Sequence, residues 1–384
     1  MSNSISRREL LKGGAAFACT AATARWTWGF PMLQPGEEVV PWTDIPANFN
    51  PQRALDTRTL QKSTFLTPTD DFYLVQHYGQ PPVDMATYRL RVTGLVEKPL
   101  ELSLDELMRR PRVEQVVGFE CGGNSNTTLN RLAGNARWAG TRVSTLLRDA
   151  GIQQHAKEIV FFGVDKGTET VTHGRPGPQE VEQHFGRSLI PEDAMRPEVL
   201  VVWEMNGAPL PPSHGAPVRL IVPGWYGVAN VKWLNHIHVQ DARYAGRFMA
   251  RDYVTLVGEK VGDEMIWNER SVARIRVKSM IARLTRAGTR YTALGFALAG
   301  TLPLKSVEVR VDSGPWQRAT LDPMNSALSW QFFTYQWTGL AAGDHTIVSR
   351  ATDANGVVQP EQSELELKRT MWENNGQLVR KFAV

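Results

Sequence analysis

The 384-residue chain has only two cysteines and no pair spaced for metal or redox work. It contains no CxxC, no HExxH, no CxxCH for covalent haem, no GxGxxG and no phosphate-binding P-loop. It also lacks apolar runs of membrane-spanning length beyond its first two dozen residues. Basic runs interleaved with aromatics are missing, which argues against nucleic-acid binding. The formal net charge is only +4, and half of it lies in Arg7, Arg8 and Lys12 set against Glu9. There is no internal repeat and no low-complexity tract. Charged residues at 21% and hydrophobic residues at 42% are ordinary for a globular protein, and the length allows two or more domains with sizeable cores.

The opening residues read as an address. Ser6-Arg7-Arg8-Glu9-Leu10-Leu11-Lys12 has the form of a twin-arginine export signal. A Gly/Ala-rich segment follows from Gly13 to Ala24, with Ala22-Thr23-Ala24 as an A-x-A cleavage site. A lipoprotein anchor at Cys19 is disfavoured by Ala16-Phe17-Ala18 before it. The expected location is periplasmic. Cleavage after residue 24 would leave Cys121 as the sole thiol, and twin-arginine export carries proteins already folded around a cofactor.

Residues 25–68 contain several prolines and little periodicity, which predicts an extended segment over the surface. From about residue 69 to 262 the signals are mixed. Tyr88–Val92 alternates as a strand ended by Gly94, and Ser103 with Glu106 forms a capping box for a short helix through Met108. Ser144–Ala150 is a second short helix closed by Gly151. Buried strands are expected at 159–162, 199–203 and 218–222, making this an α+β domain. From 263 to 384 the texture becomes short alternating strands: Val307, Val309 and Val311 share a face, and Asn355-Gly356 signals a turn. That spacing predicts an all-β immunoglobulin-like sandwich.

Cys121 ends the apolar run Val116-Val117-Gly118-Phe119-Glu120 and is followed by Gly122-Gly123-Asn124. Strand-like residues thus lead into backbone that turns sharply and allows a bulky group to approach. From the residues alone the thiol's chemistry is packing, nucleophilic attack or metal ligation. His236-Ile237-His238 puts two imidazoles on one strand face, but no third ligand lies nearby in sequence. An exported β-rich binding or adhesion protein is the alternative from a different class, and Asn126-Thr127-Thr128 is read as a chance sequon.

Glu120-Cys121-Gly122-Gly123-Asn124 resembles the molybdenum-ligand loop of the sulfite oxidase family. Trp203-Glu204-Met205-Asn206-Gly207-Ala208-Pro209-Leu210-Pro211, His214-Gly215 to Arg219-Leu220, Val222-Pro223-Gly224-Trp225-Tyr226-Gly227 and Val231-Lys232-Trp233-Leu234 continue the resemblance in order. It covers roughly residue 71 to the C-terminus. It implies a sulfite-oxidase-type molybdopterin-binding domain, a molybdenum-molybdopterin cofactor, and Cys121 as the metal's thiolate, a soft ligand suited to a thiophilic metal. The resemblance further implies His77, Asp165, His214, Arg219, Asn230, Val231 and Lys232 as cofactor-binding positions, with Arg219 and Lys232 at the phosphate. Arg251-Asp252-Tyr253 would lie at the substrate end, where Tyr253 hydrogen-bonds or relays a proton. Oxidation of sulfite to sulfate is the implied activity; another sulfur or oxo compound, a sulfane donor or a sulfoxide, is the alternative. With no haem motif and no cytochrome domain in the chain, electrons would pass to a separate c-type cytochrome. A homodimer through the C-terminal domain is also implied. The pattern breaks where the family carries anion-binding arginines: Val75, Ser125 and Asn126 stand there instead. Arg131, Arg137, Arg175 and Arg251 are the candidate replacement cations.

Overall fold

The structure is a computed structural model that describes residues 33, 35–45, 65–125, 132–172, 177–323 and 326–384. The export signal, Asn126, Arg131 and Arg175 lie outside the described residues. Among those described, no helix is long and apolar enough to cross a membrane.

Two sheets build the first domain. One is wholly antiparallel, in the order Arg219–Ile221, Leu200–Met205, Ala133–Arg142 and Val113–Glu120. The other runs Leu100–Ser103, Arg89–Gly94, Leu234–Gln240, Glu158–Val171 and Gln179–Leu189. Its one parallel pair joins Leu234–Gln240 to Arg89–Gly94. Alternation decides which face goes inward: Leu90 and Val92 are buried while Arg89 and Arg91 are exposed. The two expected helices form. Ser103 caps Leu104–Met108 with the reciprocal Glu106 contact, and Gly151 ends Val143–Ala150 in the left-handed conformation. Among the described residues all helices are short, the longest having 8 residues, so the domain is far richer in strand than an α+β reading implies. Sheet faces supply most of its packing, joined by Leu107, Leu146 and Leu147 of the two helices.

The C-terminal part is two antiparallel sheets around one core. The larger runs Glu38–Val40, Lys278–Ala287, Arg290–Leu298, Gln331–Thr338, Thr320–Leu321; the smaller runs Gln317–Arg318, Leu304–Val311, Asp344–Asp353, Arg380–Ala383. Leu284, Val307, Val309, Phe333, Ile347 and Phe382 fill the space between them.

Two boundaries need correction. Within the segment 25–68, the described residues are not merely draped over the surface: Glu38–Val40 adds a strand beside Lys278–Ala287, with Glu38 opposite Arg286. Val40 is buried there and Trp42 packs edge-on against Phe382, so apolar side chains outweigh the local proline signal. The boundary at 262/263 falls in the turn of a hairpin, Val254–Val261 with Glu264–Ser271, paired residue for residue. The hairpin is a unit between the two domains, and the sandwich strands begin at Lys278.

Candidate active site

Strand Val113–Glu120 delivers Cys121 to the floor of a cleft. The two glycines after it sit in close quarters. A Cβ on Gly122 would stand 3.1 Å from Val272 Cγ1, and one on Gly123 would stand 3.1 Å from Met371 Cε and 3.3 Å from Trp372 Cζ3. Asn124 closes the turn: its backbone N–H donates to Cys121 O (2.9 Å) and its Oδ1 accepts from Leu132 N–H (3.0 Å). Its Nδ2 donates to Glu120 Oε1 (3.1 Å), which also accepts from Lys278 Nζ at 2.6 Å. That ion pair is fully buried and joins the thiol's strand to the first sandwich strand. Burial pushes the Glu120 carboxyl up, while Lys278 and Asn124 hold it back. Burial also pushes the Cys121 thiol up, partly offset by the Gly123 N–H, and the Glu120 charge adds to the rise. Without a bound cation this thiol stays protonated; a metal would draw the proton off.

The cleft holds about 630 Å³ not filled by protein atoms, part of it open to solvent. His77, Cys121, Asp165, His214, Arg219, Asn230, Lys232 and Tyr253 all line it. Arg219 is buried, gripping His214 O and Asn230 O (2.9 Å each), with its guanidinium over the Trp138 and Phe119 rings. Burial lowers it to about 10, and its Nε has no partner. Asn230 follows the turn Gly227–Ala229 and accepts from Val222 N–H on Oδ1 (2.7 Å). Lys232 is lowered to about 7 by burial and by the Arg219 charge, and donates only a long bond to Ser213 O, 3.3 Å. Asp165 is raised to about 7 by burial, and its Oδ1 is buried and unpartnered. Tyr73, which sequence reasoning missed, adds an unpartnered buried hydroxyl. Unsatisfied buried polar atoms at this density are uncommon and point to a polar occupant.

Tyr253 forms the opposite wall. Its hydroxyl lies 2.9 Å from His77 Nε2, and burial raises its pKa, with the Cys121 charge adding to the rise. Desolvation and the Lys232 charge lower His77 to about 4, and desolvation with the Arg219 charge does the same to His214. Both imidazoles are therefore neutral near pH 7. His77 packs against Phe185 and Phe248, which also contact each other.

Three expected site residues do not face the cleft. Val231 is a fully buried core residue, so only its backbone is near the site. Arg251 is exposed and bonds Gln183 Oε1 at 3.3 Å; Asp252 bonds Arg247 Nε at 2.7 Å. The short helix Arg247–Ala250 ends just before them and turns only Tyr253 inward. Arg137 points away as well, 3.6 Å from Glu114. Val75 does line the cleft, so the apolar side chain stands where a cation was expected to be missing. His236 and His238 share Thr93 Oγ1 (2.6 and 3.0 Å), and among the described residues no three His, Cys, Asp or Glu side chains converge as a metal site.

Comparison with known proteins agrees with this geometry. The family model for an oxidoreductase molybdopterin binding domain matches residues 77–248. Human mitochondrial sulfite oxidase is 30% identical over 356 residues, 84% of this chain and 64% of that protein. Sulfite oxidase of Arabidopsis thaliana is 27% identical, covering 82% and 87%. The chain thus spans less than two thirds of the length of several animal relatives. The solved sulfane dehydrogenase SoxCD of Paracoccus pantotrophus shares the fold, with TM-score 0.70, 23% identity, and 97% and 96% coverage. Fold and site define a molybdopterin-binding oxidoreductase. Within that class, the chain is similar to sulfite oxidases, and the molybdopterin-binding domain with these relatives implies a molybdenum-molybdopterin cofactor. The residues fit that group: a thiol on the cleft floor, two cations, and three unpartnered buried polar atoms on Arg219, Asp165 and Tyr73.

Proposed function

We propose that the protein oxidises a sulfur oxyanion, sulfite, to sulfate, and passes the electrons to a separate c-type cytochrome. The observation that carries this reading is the shared lining of one cleft by Cys121, the cations Arg219 and Lys232, and the His77–Tyr253 pair. Sulfite and water give sulfate, two protons and two electrons. When bound, the cofactor supplies the two-electron oxidation of sulfur. Cys121 would ligate the metal as thiolate. Lys232, poised near neutrality, would become fully charged beside the cofactor's phosphate, and Asn230, His214 and Asp165 would hydrogen-bond the pterin. Neutral His77 orients the Tyr253 hydroxyl, which would hold or pass one of the protons released. The Leu74-Val75-Gln76 edge favours a second reading, a substrate of lower charge such as a sulfane donor, because it brings no cation to the opening.

The two-sheet C-terminal unit is read as an immunoglobulin-like domain that pairs two chains, and the twin-arginine leader as export to the periplasm. Steady-state reduction of cytochrome c or ferricyanide by sulfite tests the activity. Turnover at millimolar sulfite supports the first reading; none, with turnover of a sulfane donor, selects the second.

A further inference from the structure

The Cys121 loop and Tyr253 are held from the far end of the chain. Trp372 stacks on the Tyr253 ring, with centroids 4.4 Å apart and planes at 28°. The next residue, Glu373, donates its backbone N–H to Gly122 O at 2.8 Å. Its carboxylate is buried and accepts from Thr255 Oγ1 at 2.9 Å, two residues beyond Tyr253. Glu373 has φ +55, a conformation a non-glycine residue adopts only when its surroundings impose it. Lys368 Nζ donates to Trp372 O at 2.8 Å, fixing the segment from the other side. A Cβ on Gly123 would press on Met371 Cε and Trp372 Cζ3, so this segment lies directly against the thiol's loop. One short segment is therefore tied at once to the thiol's loop and to the strand that carries the phenol.

We infer that Trp372 is a positioning residue, clamped by Glu373, which fixes the plane of the Tyr253 ring so that its hydroxyl meets His77 inside the cleft. The inference rests on reading Tyr253 as the group that faces substrate. Three facts on one ring carry it. The Tyr253 hydroxyl is hydrogen-bonded to His77, that imidazole packs against Phe185 and Phe248, and Trp372 is the one aromatic ring stacked on the Tyr253 ring among the described residues. Removing the indole frees the ring about its side-chain torsions and admits water; an aromatic replacement does not.

Trp372→Ala, Trp372→Leu and Trp372→Phe separate positioning from packing. In the full-length protein labelled with ¹³Cζ-tyrosine, the Tyr253 resonance, assigned with Tyr253→Phe, should titrate above the ordinary phenol value in the wild type and in Trp372→Phe. In the Ala and Leu variants it should move and titrate near the ordinary phenol value of about 10. In molybdenum-loaded enzyme the Ala and Leu variants should lose about tenfold or more in kcat at unchanged molybdenum content, with Trp372→Phe restoring most of it. A Tyr253 resonance in Trp372→Leu that superposes on the wild type overturns the inference, as does a loss of rate that tracks loss of metal. If wild-type enzyme turns over no sulfur substrate, the proposed function fails while the tyrosine titration still decides the positioning role.

Discussion

The floor and the opening of the same cleft are built on different principles. On the floor, Cys121, Arg219 and Asn230 are buried and held by paired backbone contacts, and Arg219 and nearby Asp165 and Tyr73 keep polar atoms in reserve. At the opening, Leu74 (43% exposed) and Val75 (37% exposed) face solvent without a charge. The floor must match a fixed polyanionic cofactor, so its residues are set by charge and hydrogen bonding, and family resemblance reaches them. The opening need only match a substrate, and there the sequence resemblance to the family breaks at Val75. Binding of the cofactor and choice of substrate are thus separable properties of this molecule.

The largest effect should come from undermining the floor. Glu120→Ala leaves Lys278 charged and buried without its carboxylate, at a cost of about 3–5 kcal/mol. Urea unfolding should show this, and a drop below 1 kcal/mol would mean the pair is dispensable. Lys232→Met keeps the bulk but removes the charge offered to the cofactor's phosphate. Molybdopterin occupancy, measured by fluorescence of its oxidised form, should fall about tenfold or more, with little change in melting temperature.

The opening should respond in the other direction. Val75→Arg supplies the missing cation and should lower KM for sulfite about tenfold, equivalent to ~1.4 kcal/mol, with cofactor content unchanged. A change in cofactor content instead would erase the distinction between the two halves.

The smallest effect concerns pH. His77 and His214 have folded pKa values near 4, below the ordinary imidazole value of 6.5. The unfolded chain therefore binds protons first, so the stability they contribute is present above about pH 6.5 and is lost as pH falls toward 4. Melting temperature should decline across that window. His77→Gln should flatten part of the decline.

What could be read from the sequence follows the range of the forces involved. The Ser103 cap, the Gly151 stop and the Cys121-Gly122-Gly123 turn are local, and each was legible from neighbours a few residues away. The inward turn of Tyr253, but not of Arg251 or Asp252, depends on how Arg247–Ala250 docks, which no spacing rule encodes. Trp372, Lys278 and the strand Glu38–Val40 reach their partners across the whole chain, so nothing beside them in sequence marked their roles. The shortage of helix was missed because alternating strands and short capped turns give the same mixed local signal.

The central claim is that Cys121 is the protein's thiolate to molybdenum. Molybdenum-edge X-ray absorption of the purified enzyme tests it directly, comparing wild type with Cys121→Ser. The account predicts a sulfur shell that loses one neighbour in the variant while the dithiolene sulfurs remain. An identical sulfur shell in the two proteins, at equal molybdenum content, would contradict it.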